Sequence, residues 1–172
     1  MKNIILTAAC LCFLSITVFA QHDHNSHQKQ TSSSTTEANS KNNLSPLLTL
    51  YYNIKNALVA GDAGSAASNA DAFVKNINTI DYKVISEGNI NILAKDAGRI
   101  SETKDIKKQR EYFANFSANM ATVAKATKLS DQPIYLQYCP MKKASWLSNE
   151  KEIRNPYYGS AMLTCGEITE TL

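Results

Sequence analysis

A mainly α-helical fold is what this sequence predicts: an antiparallel four-helix bundle with a short C-terminal β-hairpin and turn unit docked on it. Three observations carry that expectation. Apolar residues recur at helical spacing in four segments between Leu44 and Lys128. The connections between those segments are short, so neighbouring helices should pack antiparallel. After Lys128 the pattern gives way to short β-branched and aromatic runs separated by turn residues.

The first helix is marked by Leu47, Leu50, Tyr51, Ile54 and Leu58, a single apolar stripe. Ser45 followed by Pro46 reads as an N-cap with proline at the first helical position, and Gly61 as the stop. Asp62 then caps an alanine-rich second helix with the stripe Ala66, Ala70, Phe73 and Ile77, whose small residues allow close approach to a neighbour. The third segment, about Ser86 to Ile100, carries Leu93, Ala97 and Ile100 but is interrupted by Gly88 and two asparagines. The fourth starts at Asp105 and holds Ile106, Phe113, Phe116, Met120, Val123 and Thr127 on one face.

Ile134 to Tyr138 reads as a strand that Cys139-Pro140 breaks, with Ala144 to Leu147 pairing back as a hairpin. In the run Asn155-Pro156-Tyr157-Tyr158-Gly159, proline fixes one φ angle and glycine is free to take a positive one, so the run is a turn. Met162 to Ile168 reads as a last extended segment. This tail is too small to fold alone. Trp146, Tyr138, Tyr157 and Tyr158 are the residues expected to pack it on the bundle, and Arg110 reads as part of a solvated helix face or else as an anchor for the tail through hydrogen bonds to a turn.

The chain begins with one lysine, an apolar run from Ile4 to Phe19 and the small residue Ala20. That is the pattern of a secretory signal peptide cleaved after about Ala20, which implies a periplasmic or secreted protein. The alternative of a lipid anchor on Cys10 or Cys12 leaves too short an apolar core ahead of it. No second hydrophobic segment follows, so the mature chain should have no transmembrane span. Residues 21–43 are polar and rich in Ser, Thr, Asn and Gln, and they read as a disordered tether ahead of a domain at 44–172. The tether holds His22, His24 and His27, all the histidines of the protein. At such spacing they are weak ligands for Cu(II), Ni(II) or Zn(II), or else a solvated polar tail.

The formal charge is +3, of which Lys2 contributes one, leaving +2 after cleavage. Lysines are scattered among acids with no basic stripe, which argues against a nucleic-acid partner. With its histidines confined to the tether, the domain can assemble no Ser-His or Cys-His dyad. It also lacks a glycine-rich phosphate loop, HExxH and CxxC, so no enzyme is expected.

The mature chain retains Cys139 and Cys165. In an exported protein such a pair is first read as a disulfide. Closing that loop of about 25 residues would stabilise the fold by roughly 3 kcal/mol. Met141 lies two residues from Cys139, and Met162 three from Cys165. If the two segments meet, up to four soft donors converge, a set that favours Cu(I) or another soft ion over hard cations. A thiolate near Lys142 or Lys143 would ionise more readily. The methionines have a plainer reading too, as fillers of core gaps.

The stretches QYCPM, ASWLSNEKEIRNPYYGSAMLTCGEI and QREYFANFSANM resemble a domain of unknown function found in small exported bacterial proteins. The same domain occurs at the C-terminal end of periplasmic adaptor subunits of heavy-metal (copper/silver-type) efflux systems. The resemblance runs from about Leu44 to Ile168, with its specific part in the C-terminal motif at about 134–168. The recurring elements fall on Cys139-Pro140-Met141, Trp146-Leu147-Ser148, Asn155-Pro156-Tyr157 and Met162-Leu163-Thr164-Cys165-Gly166, with Gly159 in the turn between. It implies heavy-metal handling and efflux components or another envelope protein as partners. The chain has no lipoyl-like or barrel domain and no coiled-coil hairpin, so it would act as a free-standing module. The function expected is metal binding and transfer; the alternative is a disulfide-stabilised, non-catalytic interaction module.

Overall fold

The computed structural model describes residues 44–172. The segments read as a signal peptide and as a tether with its histidines, residues 1–43, lie outside the described residues. Four helices come first: α1 (Ser45–Ala60), α2 (Ala63–Ile77), α3 (Glu87–Ser101) and α4 (Ile106–Ala126). They are followed by β1 (Tyr135–Cys139), β2 (Ala144–Ser148), a 3-10 turn (Gly159–Met162) and β3 (Glu167–Thr171). The strands form an antiparallel sheet in the order β2-β1-β3. The expected bundle with a docked β unit is what is seen.

Local chemistry explains the helix ends. Gly61 closes α1 at φ 77°, the left-handed conformation that glycine adopts without a Cβ penalty. Asp62 accepts the Ser65 amide at 2.9 Å, and Ser86 and Asp105 cap α3 and α4 in the same way. The first cap differs from expectation. Ser45 is already helical, Leu44 occupies the cap without a side-chain bond, and buried Leu44 packs into the core. Gly88 does not interrupt α3, because it falls in the first turn where its helix cost is small.

Each helix buries most of the stripe its sequence marks, with Leu50 and Ile106 only partly buried. Leu47, Tyr51, Ile54 and Leu58 of α1 meet Ala66, Ala70, Phe73 and Ile77 of α2, Leu93, Ala97 and Ile100 of α3, and Phe113, Phe116, Met120 and Val123 of α4. Thr127 is the C-cap of α4 and not part of the face. Tyr51 joins α1 to α4. Its ring stacks on Phe113 with centroids 5.6 Å apart, and its hydroxyl lies 2.5 Å from Ser117 Oγ.

The sheet closes over the same aromatic cluster. Leu147 of β2 donates its backbone N–H to Tyr51 Oη at 3.0 Å. Tyr157 lies 5.8 Å from Phe113 and 5.9 Å from Trp146, so the tail's aromatic residues extend the bundle core. Fully burying Trp146 against this cluster is worth roughly 3 kcal/mol on hydrophobic transfer alone. At the far edge Lys125 of α4 pairs with Glu170 of β3. Among the described residues no helix is long and apolar enough to cross a membrane.

Candidate functional site

The two cysteines, 26 residues apart in sequence, lie with sulfurs 3.9 Å apart. The sheet register brings this about. β1 ends at Cys139, and its Tyr138 is paired with Glu167 of β3, so the approach to β3 runs beside the end of β1. The residue between Cys165 and β3 is Gly166, at φ 152°. A Cβ there would come within 2.8 Å of the Trp146 ring and 2.9 Å of the Tyr138 carbonyl oxygen, so only glycine lets the chain pass this close. On the other side, Lys143 closes the β1–β2 turn by donating its N–H to the Cys139 carbonyl at 2.8 Å.

Asn155 fixes the second cysteine. Its Nδ2 donates to the Cys165 carbonyl at 2.7 Å, and its Oδ1 accepts the Tyr157 amide at 2.9 Å. Its own backbone N–H donates to the Leu163 carbonyl, and its carbonyl accepts from Gly159. One buried side chain thus ties together both arms of the turn that carries Cys165. Pro156 leads into this turn, and Gly159 takes φ 55° within it. Met162 consequently ends the 3-10 helix, and Leu163 and Thr164 form a turn that leads to Cys165. The extended segment starts only at Glu167, later than the sequence suggests, because the Asn155 bonds curl the chain.

Cys139 and Cys165 are free thiols. Their separation is well beyond the S–S bond length of about 2.05 Å, so no bond joins them in this structure. Their environments differ. Burial pushes the Cys139 thiol up, but the Lys142 amide, the Asn155 side chain and the Cys165 thiol more than offset it and hold it below the ordinary thiol range. Cys165 is held above that range by partial burial and by the adjacent Cys139. The pair therefore favours one thiolate, on Cys139, with Cys165 as its hydrogen-bond donor. Lys142 acts through its backbone N–H, 3.4 Å from Cys139 Sγ, rather than through its ammonium group as the sequence suggests.

Both methionines sit on the turns that carry the cysteines, and both are exposed: Met141 by 63% and Met162 by 39%. Neither fills a core gap. Among the described residues no group of three or more His, Cys, Asp or Glu surrounds a common point. The donors the fold brings together are the two thiols, with the two methionines close to them in sequence. A single ion could bridge the cysteines without backbone movement, since 3.9 Å is less than twice a thiolate–metal bond of about 2.3 Å.

Three buried polar residues escaped the sequence reading. Lys55 of α1 is fully buried, and its Nζ lies 3.4 Å from Ser148 Oγ. It stands seven residues after Leu48 and four before Val59, on a flank of the stripe that is otherwise apolar, which was the available signal. Gln137 Nε2 donates to the Glu150 carbonyl at 2.8 Å, holding the loop after β2, and Gln109 Nε2 bonds three carbonyls at the helix ends. Arg110 is not on a solvated face: half-buried, it donates from Nη2 to the Leu58 carbonyl at 2.8 Å.

The profile of a family described as "Protein of unknown function (DUF3347)" matches residues 47–132. The chain belongs to this family. The matched span covers the four helices and ends before β1, so the family assignment rests on the bundle and not on the C-terminal motif that the sequence reading took as most specific. No curated protein and no solved structure matches the chain.

Proposed function

We propose that this protein binds a soft metal ion of the Cu(I) type in the cell envelope, as a carrier or accessory of heavy-metal efflux. Two free thiols 3.9 Å apart, flanked in sequence by two exposed methionines, are the observation that carries this reading. Cys139, with its lowered pKa, is the anchoring thiolate; Cys165 loses its proton when an ion binds. Met141 and Met162 supply thioethers from the solvent side, where ligand exchange with a partner takes place. His22, His24 and His27 serve as weaker capture ligands on the tether.

A non-enzymatic role is part of this reading. The thiol that ionises first is fully buried, whereas its half-exposed neighbour is held protonated. A protein disulfide has no exposed surface of the first to approach and meets a poor nucleophile in the second, which disfavours thiol–disulfide exchange. The resemblance to the C-terminal domain of heavy-metal efflux adaptors supports the biological setting, and the leader supports export.

Titration of the reduced mature protein with Cu(I) against a competing chelator tests this. One-to-one binding should persist when residues 21–43 are deleted and vanish in Cys139→Ser. Equal affinity in wild type and Cys139→Ser removes the proposal. The sulfur spacing also favours a second reading, a disulfide-locked interaction module, because the two thiols are close enough for an oxidant of the cell envelope to take two electrons and two protons from them and join them. A free-thiol count on protein isolated from the envelope separates them: no free thiol, and no gain of metal affinity on reduction, selects the module.

A further inference from the structure

A cleft of about 340 Å³ lies beside the sulfur pair, between α4 and the two turns of the tail, and plays no part in the metal reading. Lys107, Arg110, Glu111, Lys142, Tyr157 and Tyr158 line it. Three cations thus face one carboxylate, and among the described residues none of the three is paired with an acid within 4.0 Å.

Arg110 is the most constrained of them. Its Nη2 is bound to the Leu58 carbonyl, and a Cβ on Gly159 would collide with that nitrogen. The guanidinium is thus held between the end of α1 and the Gly159 turn. Its Nε is buried without a partner, and burial lowers its pKa. A partly desolvated cation without a counter-ion is costly, and an anion brought into the cleft recovers that cost. The volume sits at the small end of the range for ligand pockets, about 300 Å³ and upward.

We propose that this cleft binds a small organic anion, its carboxylate or phosphate head on Arg110, Lys107 and Lys142 and its flat apolar body on the side of Tyr157 and Tyr158. The assignment goes beyond the metal reading and does not depend on it, because no thiol takes part.

Amide NMR titration of the reduced mature protein with phenyl phosphate and, separately, with benzoate tests this, with benzyl alcohol as the uncharged control. Saturable shifts should cluster at residues 107–111, 142 and 157–161 with at least one of the two anions; which one binds identifies the head group. Lys142→Gln should weaken binding roughly threefold to tenfold and Glu111→Gln should strengthen it, as removal of one charge from a partly screened site implies. Both positions lie outside the core, so the variants should fold. Cys139→Ser should leave the anion affinity unchanged, which keeps a failure here distinct from a failure of metal binding. No saturable shift with either anion, equal shifts with benzyl alcohol, or indifference to both charge variants would overturn the assignment.

Discussion

Replacing Lys55 by methionine should stabilise the protein at neutral pH. The Lys55 side chain is fully buried beneath the end of β2, where its Nζ has a single 3.4 Å hydrogen bond, to Ser148 Oγ. Burial pushes its pKa down to about 8; the charge of Glu150 works against that fall and Arg154 reinforces it. An unfolded lysine titrates near 10.5, so the unfolded chain holds this proton more tightly than the folded one. Stability contributed by this site therefore rises with pH between about 8 and 10.5 and is lowest below 8. The gap corresponds to roughly 3 kcal/mol of penalty at pH 7.

Methionine keeps the length of the aliphatic stem and carries no charge. Ser148 Oγ retains the Glu150 amide as a donor at 3.1 Å, so losing the Lys55 bond should cost only about 1 kcal/mol. A net gain of about 2 kcal/mol at pH 7 is expected, shrinking to under ~1 kcal/mol or reversing at pH 10.5. Urea denaturation of the reduced protein at both pH values measures it; the gain should raise the midpoint by about 1 M at neutral pH. A variant less stable than wild type at pH 7, or one with the same difference at both pH values, would refute the reasoning. Either result would mean that the ammonium group is fully compensated in the fold.

Other perturbations probe the site and its supports. Gly166→Ala places a methyl group into the Trp146 ring at a φ of 152°, and should cost about 1–3 kcal/mol in thermal or urea unfolding while slowing oxidation of the cysteine pair. Wild-type stability together with wild-type oxidation rate would contradict the tight passage inferred there. Tyr51→Phe leaves the buried Leu147 amide without its acceptor and should cost about 1–3 kcal/mol, read by the same melts. Thiolate absorbance followed against pH should rise in two steps, the first below and the second above the ordinary thiol range. Cys165→Ala, which removes the thiol donor, should move the remaining step upward, and an unchanged midpoint would argue against coupling.

The helical part of this fold was legible because each stripe buries the residues whose spacing announces it. Gly61, Asp62 and Asp105 act at the positions their side-chain chemistry marks. Strand pairing within the tail was only partly legible. The β1–β2 hairpin is local, with side chains that suit it, whereas β3 joins β1 from nearly 30 residues away with every residue exposed, so no burial pattern announces it. The sulfur residues could be named from their clustering in sequence. Their state could not: the methionines turned out exposed and the cysteines unbonded, because the Asn155 bonds and the narrow passage at Gly166 set where each turn comes to rest.

Composition and periodicity alone determined a helical bundle with a small β unit, and which residues carry soft-donor chemistry. Those properties depend on neighbours a few positions apart, where helix and strand geometry links sequence to position. The 3.9 Å between the two sulfurs, the unequal acidity of the thiols, the buried charge on Lys55 and the cationic cleft at Arg110 were decided only by tertiary structure. Each results from desolvation and contact between segments distant in the chain, and such energies exist only once the sheet has docked on the bundle.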